Sequence, residues 1–113
     1  MPTPAAAYLR YSSDAQDARS IEDQERRCRA YAEAHGYEVV RVYSDAALSG
    51  ATLDRPGLRR MLDDAHDGVF QALIVDDQSR LTRDLGDYLT LERSFTARGV
   101  EIIDRSTGQS SRD

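Results

Sequence analysis

Apolar and polar positions along this chain switch repeatedly between the strand period and the helix period. Residues 5–11, Ala-Ala-Ala-Tyr-Leu-Arg-Tyr, form a short, nearly continuous apolar run, the signature of a strand covered on both faces. Ser20 with Asp23 resembles a capping box, and Ile21, Gln24, Cys28, Tyr31, Ala32 and His35 recur at helical spacing before Gly36. Glu38 to Tyr43 alternates and carries β-branched residues, predicting a second strand. Ser44 to Arg55 is rich in small residues and long for a strand-to-helix connection, the kind of loop that often carries function. Pro56 suits a first helical position, and Leu58, Met61, Leu62 and Ala65 make the apolar stripe of a helix ending near Gly68. Gln71 to Val75 predicts a third strand and Val100 to Ile103 a fourth. Between them Asp84 to Ala97 predicts a helix with Leu85, Tyr88, Leu89 and Phe95 inward. From Ser106 onward the chain is polar and is expected to fray.

Strands that alternate with helices imply right-handed crossovers and a parallel sheet with helices on both faces. The fold class is therefore α/β, a small doubly wound domain with four mainly parallel strands, for which the flavodoxin-like order 2-1-3-4 is expected. A length of 113 residues provides one modest core and no second one. No internal repeat or interdomain linker is visible.

Charge and cysteine content narrow the chemistry. A net charge of −5 argues against a surface that wraps nucleic acid by bulk electrostatics. All 15 basic residues are arginine, which matters only where they cluster, because a guanidinium fork suits phosphate. The single cysteine, Cys28, has no internal disulfide partner, and with two histidines it makes a poor zinc set. No metal and no cofactor are expected. There is no apolar run of membrane-spanning length and no secretory pattern in residues 1–7, so a cytoplasmic domain without a membrane partner is expected.

In an open α/β sheet, ligands sit beyond the carboxyl ends of the strands, where the strand order reverses. Ser12, Ser13 and Gln16 follow the first strand, Asp45, Ser49 and Arg55 the second, and Asp76, Asp77, Arg80 and Arg83 the third. Side chains two apart on a strand share a face, so Tyr8, Arg10 and Ser12 point the same way. A serine hydroxyl needs help to become a nucleophile, and guanidinium groups help by stabilising negative charge on a phosphoryl group. Arg10, Arg80 and Arg83 around Ser12 therefore compose a phosphoryl-transfer site, although Arg80 and Arg83 could equally pair with Asp76, Asp77, Asp84 and Asp87. His35 and His66 each precede a helix-ending glycine, where their positive ends complement the helix dipole. They read as structural, and no Ser-His-Asp arrangement remains.

Five motifs occur in an order and spacing that resemble the serine recombinases, the resolvase and invertase superfamily. They are Y-L-R-Y-S-S-D-A-Q (8–16), S-I-E-D-Q (20–24), V-Y-S-D-A-A-L-S-G (42–50), L-D-R-P-G-L (53–58) and S-R-L-T-R-D (79–84). The run looks most like the large serine recombinases and integrases, and it covers residues 5–104. The resemblance implies that residues 1–105 are the catalytic domain, with 106–113 a polar tail toward downstream regions. It implies that Ser12 attacks a DNA phosphodiester and forms a 5′-phosphoserine link without ATP. Arg10, Arg80 and Arg83 would line the scissile phosphate, Arg55 would support it, and Gln16, Gln24, Asp45 and Ser49 would orient the site. Ser13 is the rival nucleophile, disfavoured by motif register. The family often has aspartate where this chain has Ser79; Asp77 is the nearest acidic substitute. Members continue into a long helix with further arginines and the oligomer interface, then into DNA-binding domains. The implied partners are double-stranded DNA recombination sites and further copies of the protein, dimer to tetramer, both through the full-length protein. A domain without those regions is expected to be weak or inactive.

Two other classes fit the topology. A phospho-acceptor signalling domain would use Asp76 or Asp77, but usually needs acidic residues after the first strand and a lysine. A catalytically silent interaction module would need neither.

Overall fold

The computed structural model describes residues 2–11, 18–46, 56–82 and 84–111. The first apolar run becomes strand β1 (Thr3–Tyr11), and Ala5 to Arg10 are all buried because β1 lies inside the sheet. Strand β2 (Tyr37–Ala46) pairs with one edge of β1 and β3 (Ala72–Val75) with the other, both parallel. Strand β4 (Glu101–Asp104) extends the sheet in parallel beside β3. The order β2-β1-β3-β4 is the expected one, with the reversal of winding between β1 and β3.

The alternation of β1 divides the core. Ala5, Ala7 and Leu9 face helix α1 (Ala18–Ala34) with Cys28, Ala32, Ala72, Ile74 and Ile103. Ala6 and Tyr8 face the opposite layer, which holds helix α2 (Pro56–His66) and helix α3 (Leu85–Ala97), with Leu58, Met61, Leu73, Val75 and Phe95. Burial of this kind contributes roughly 1.5–3 kcal/mol per large apolar side chain. Cys28 packs inside the α1 layer, and burial pushes its thiol pKa up to about 12, so it behaves as a small apolar residue. At the opposite end of the sheet from the candidate site, Tyr37 and Ser110 donate their hydroxyls to the buried Glu101 carboxylate and so tie β2 and the last residues to β4.

Three local expectations change. Helix α1 already includes Ala18, so Ser20 lies within the helix and not at its cap. On α3 the inward stripe is Leu91 and Phe95, both buried, with Tyr88 partly buried beside them, while Leu85 and Leu89 are 66% and 42% exposed. The leucines allowed two apolar stripes about a quarter-turn or more apart, and tertiary packing chose one. The segment after Ser106 is not frayed up to Ser111: Gly108, at φ 75°, turns the chain so that strand β5 (Gln109–Ser110) pairs antiparallel with β4. A non-glycine residue rarely adopts that backbone angle.

Candidate active site

The carboxyl ends of β1 and β3 meet around Arg10. Its side chain continues the Tyr8 face and is completely buried. The guanidinium donates from Nε to the carbonyl of Arg80 at 3.0 Å and from Nη2 to the carbonyl of Ser79 at 2.8 Å. Arg80 replies by donating Nη1 to the carbonyl of Arg10 at 3.1 Å. A buried charge is tolerated only with such directed partners. These bonds dock the 3-10 turn Gln78–Arg80 onto the end of β1.

Gln24 closes the other side of the same residue. It is fully buried on α1; its Oε1 accepts from the Arg10 amide at 3.2 Å and its Nε2 donates to the Arg10 carbonyl at 2.9 Å. The side-chain amide thus acts as a peptide-like clamp on the strand end that leads to Ser12. Asp77 caps the 3-10 turn: its Oδ1 accepts from the Ser79 amide at 2.9 Å and also from the Ser79 hydroxyl. Its Oδ2 stands 3.7 Å from Arg80 Nε. A carboxylate therefore accompanies Arg80 although position 79 is serine.

Asp45 belongs to β2, beside Arg10 in the sheet register, rather than to the loop that follows. Its carboxylate accepts from the Tyr8 hydroxyl at 2.7 Å and from the amides of Gly57 and Leu58 at 2.8 and 2.9 Å. A strand-borne aspartate thus caps the first turn of α2, where amides are otherwise unpaired and the dipole favours an anion. This brings the two ends of residues 46–56 together. Gly57 is required by the close approach: a Cβ there would stand 2.5 Å from the Ser44 carbonyl and 2.9 Å from Asp45 Oδ2.

Asp76 has a role that the sequence pattern did not reveal. It is 5% exposed and receives both Nε and Nη2 of Arg27 at 2.8 Å, and Nε of Arg105 at 2.9 Å. Burial pushes its pKa up, but the hydrogen bonds and charges of Arg27 and then Arg105 outweigh burial and hold it below the ordinary carboxylate value. Asp76 is thereby removed from the list of partners for Arg80, and Asp84 caps α3 by accepting from the Asp87 amide. His35 stacks on Tyr31 and contacts its carbonyl, and His66 is exposed in the last turn of α2.

Of the residues named from sequence, the structure brings together Arg10, Gln24 and Arg80, with Asp45 on the neighbouring strand. Ser12, Ser13, Gln16, Ser49, Arg55 and Arg83 lie outside the described residues. Among the described residues no cluster of histidine, cysteine, aspartate and glutamate could hold a metal ion, and no helix is long and apolar enough to cross a membrane.

Comparison with known proteins agrees with this fold. The family model for the resolvase N-terminal domain matches residues 5–113. A protein of Bacillus subtilis (strain 168) assigned as a DNA recombinase is 33% identical over 100 residues, covering 87% of this chain. The chain spans only 19% of that relative's length. Among solved structures, the N-terminal catalytic domain of TP901-1 integrase superposes with a TM-score of 0.90 at 33% identity, over 97% of this chain and 83% of that one. The C-terminal catalytic domain of ISC1926 TnpA, an IS607-like serine recombinase, gives 0.81 at 32% identity, over 90% and 67% of the two chains. A resolvase family site-specific recombinase from Streptococcus pneumoniae gives 0.83 at 28% identity, over 98% and 77%.

Proposed function

The chain belongs to the resolvase N-terminal domain family of serine recombinases, and from that membership we propose that it cuts and rejoins DNA through Ser12. The observation that carries the reading is the buried Arg10, which joins the strand end leading to Ser12 to the turn that carries Arg80.

In the proposed reaction the Ser12 hydroxyl oxygen attacks the phosphorus of a DNA phosphodiester. A Ser12 O–P bond forms, the P–O3′ bond breaks, and the proton lost by serine is balanced by the one gained by the departing 3′-hydroxyl. One phosphodiester replaces another, so no ATP is consumed, and a 3′-hydroxyl from a different strand can reverse the step. Arg80 and Arg83 supply positive charge to the non-bridging oxygens as the transition state forms. Arg10 does so from beneath, while holding the turn of Arg80. Arg55 supports the phosphate, and Gln16, Gln24, Asp45 and Ser49 orient the site. Residues 1–105 are the proposed catalytic unit. Recognition of double-stranded recombination sites and assembly from dimer to tetramer belong to the full-length protein, which suits the acidic charge of this domain.

The phospho-acceptor alternative is weakened because the Asp76 carboxylate is buried and committed to two arginines, while that of Asp77, 36% exposed, is engaged by the Ser79 amide and hydroxyl of its own turn. The test is covalent trapping by the full-length protein from a random-sequence pool of nicked duplex DNA, with a metal chelator present. A protein–DNA adduct that survives denaturant is expected; capture only on addition of magnesium, or no capture at all, would overturn the proposal.

A further inference from the structure

We infer that Asp76 is a positioning residue for the end of β1 that precedes Ser12 in sequence, acting through Arg27 and the Gln24 clamp. The inference rests on the proposed role of Ser12. Its physical content lies in how α1 is held against the sheet.

In the contact between α1 and the sheet, the sheet contributes Leu9, Ile74 and Ile103 beside Ala5, Ala7 and Ala72, whereas the fully buried apolar side chains from α1 are the small Cys28 and Ala32, with Ile21 and Tyr31 partly buried. Apolar contact is non-directional, and the small buried residues of α1 form shallow ridges against the sheet, so this packing sets the distance of α1 from the sheet better than its position along its own axis. The position of Gln24 must be set more closely than that. Both hydrogen bonds to the Arg10 peptide depend on it, and the Arg10 carbonyl is shared with Arg80 Nη1.

Asp76 supplies the missing directional restraint. It follows β3, and by strand alternation it continues the α1-facing set of Ala72 and Ile74. Its two oxygens take the Arg27 fork in a bidentate pair, which fixes orientation as well as distance. Arg105, just beyond β4, holds the same carboxylate from the other side. Arg27 lies three residues after Gln24 on α1, so the pin and the clamp are about one helical turn apart. Exposed ion pairs are worth little; here the Arg27 side chain is 43% exposed, but the Asp76 side chain is only 6% exposed, so solvent screens the pair from the arginine side alone. One carboxylate thus locks α1, β3 and β4 together at the height where Gln24 grips Arg10, two residues before Ser12.

The experiment compares wild type with Asp76→Asn and Asp76→Glu by two readouts. The first is amide hydrogen exchange. In Asp76→Asn the Arg10 amide should exchange about tenfold faster, while the amides of Leu73 and Ile74 in the sheet stay protected. The second is single-turnover adduct formation by the full-length protein. Its rate at saturating DNA should fall about 10- to 100-fold with half-saturation unchanged, and Asp76→Glu should recover part of it. An unchanged Arg10 amide overturns the inference. So does faster exchange across the whole sheet, or a loss of rate matched by a loss of affinity. If wild type forms no adduct through Ser12, the functional reading fails, and the exchange measurement alone decides whether Asp76 holds the clamp.

Discussion

Replacing Arg10 with methionine is expected to destabilise the domain by about 2–4 kcal/mol and to reduce adduct formation at least about 100-fold. Two effects oppose each other. Removing a fully buried guanidinium relieves the cost of keeping a charge out of water, and replacing a buried ion by an apolar residue is sometimes neutral for that reason. The partners here are carbonyls of Ser79 and Arg80, however, and methionine offers them no donor. Each of these part-buried carbonyls left unpaired costs toward the lower part of the range of about 1–3 kcal/mol, so the two unpaired acceptors outweigh the relief. The 3-10 turn also loses its tether to β1, which separates Arg80 from the strand end. Arg10→Lys should fall between the two, because a point charge on a flexible stem does not reproduce the two-pronged fork. Urea unfolding measures the stability change. A change below about 0.5 kcal/mol would mean that the turn is held by other contacts.

Gly57→Ala should cost about 2–3 kcal/mol although alanine is the better helix former. Propensity alone favours the substitution by roughly 1 kcal/mol. Against it, the new Cβ would stand 2.5 Å from the Ser44 carbonyl, which is backbone and cannot swing aside, and 2.9 Å from Asp45 Oδ2. Relief requires α2 to move away from β2, which lengthens the bonds from the Gly57 and Leu58 amides to Asp45. The overpacking cost and the weakened cap act in the same direction. Urea unfolding with unchanged slope reads the effect; equal or greater stability would show that the approach of α2 to β2 is looser than the geometry implies.

The order of the sheet was legible because each element announced itself locally: a continuous apolar run for β1, a 3.6-residue stripe for α2, glycine at the helix ends. Strand β5 was not, because Gln109 and Ser110 are polar and too few to show a period. The inward face of α3 was ambiguous for the opposite reason, since Leu85, Leu89 and Leu91 offered more apolar positions than the core could take. For the site, strand alternation correctly put Arg10 on the Tyr8 face, and the topology correctly placed Arg80 beside it. The Asp76 hub stayed hidden because Arg27 and Arg105 lie 49 and 29 residues from it in sequence, and no periodicity reports such pairs. Asp45 looked like a loop residue because aspartate favours turns. Its actual work, capping a helix from the end of a strand, becomes visible only when β2 and α2 are placed together.

The proposed chemistry rests on one oxygen atom, the hydroxyl of Ser12. Trypsin cuts after Arg10 and Arg19, so the peptide from Tyr11 to Arg19 contains Ser12 and Ser13 and no other hydroxyl except that of Tyr11. Full-length protein trapped on nicked DNA, digested with nuclease and trypsin, should yield this peptide carrying a 5′-linked nucleotide. Fragmentation should place the phosphate on Ser12, and Ser12→Ala should abolish the product while Ser13→Ala retains it. A phosphate on Ser13, a 3′-linked nucleotide, or an adduct that survives Ser12→Ala would contradict the account.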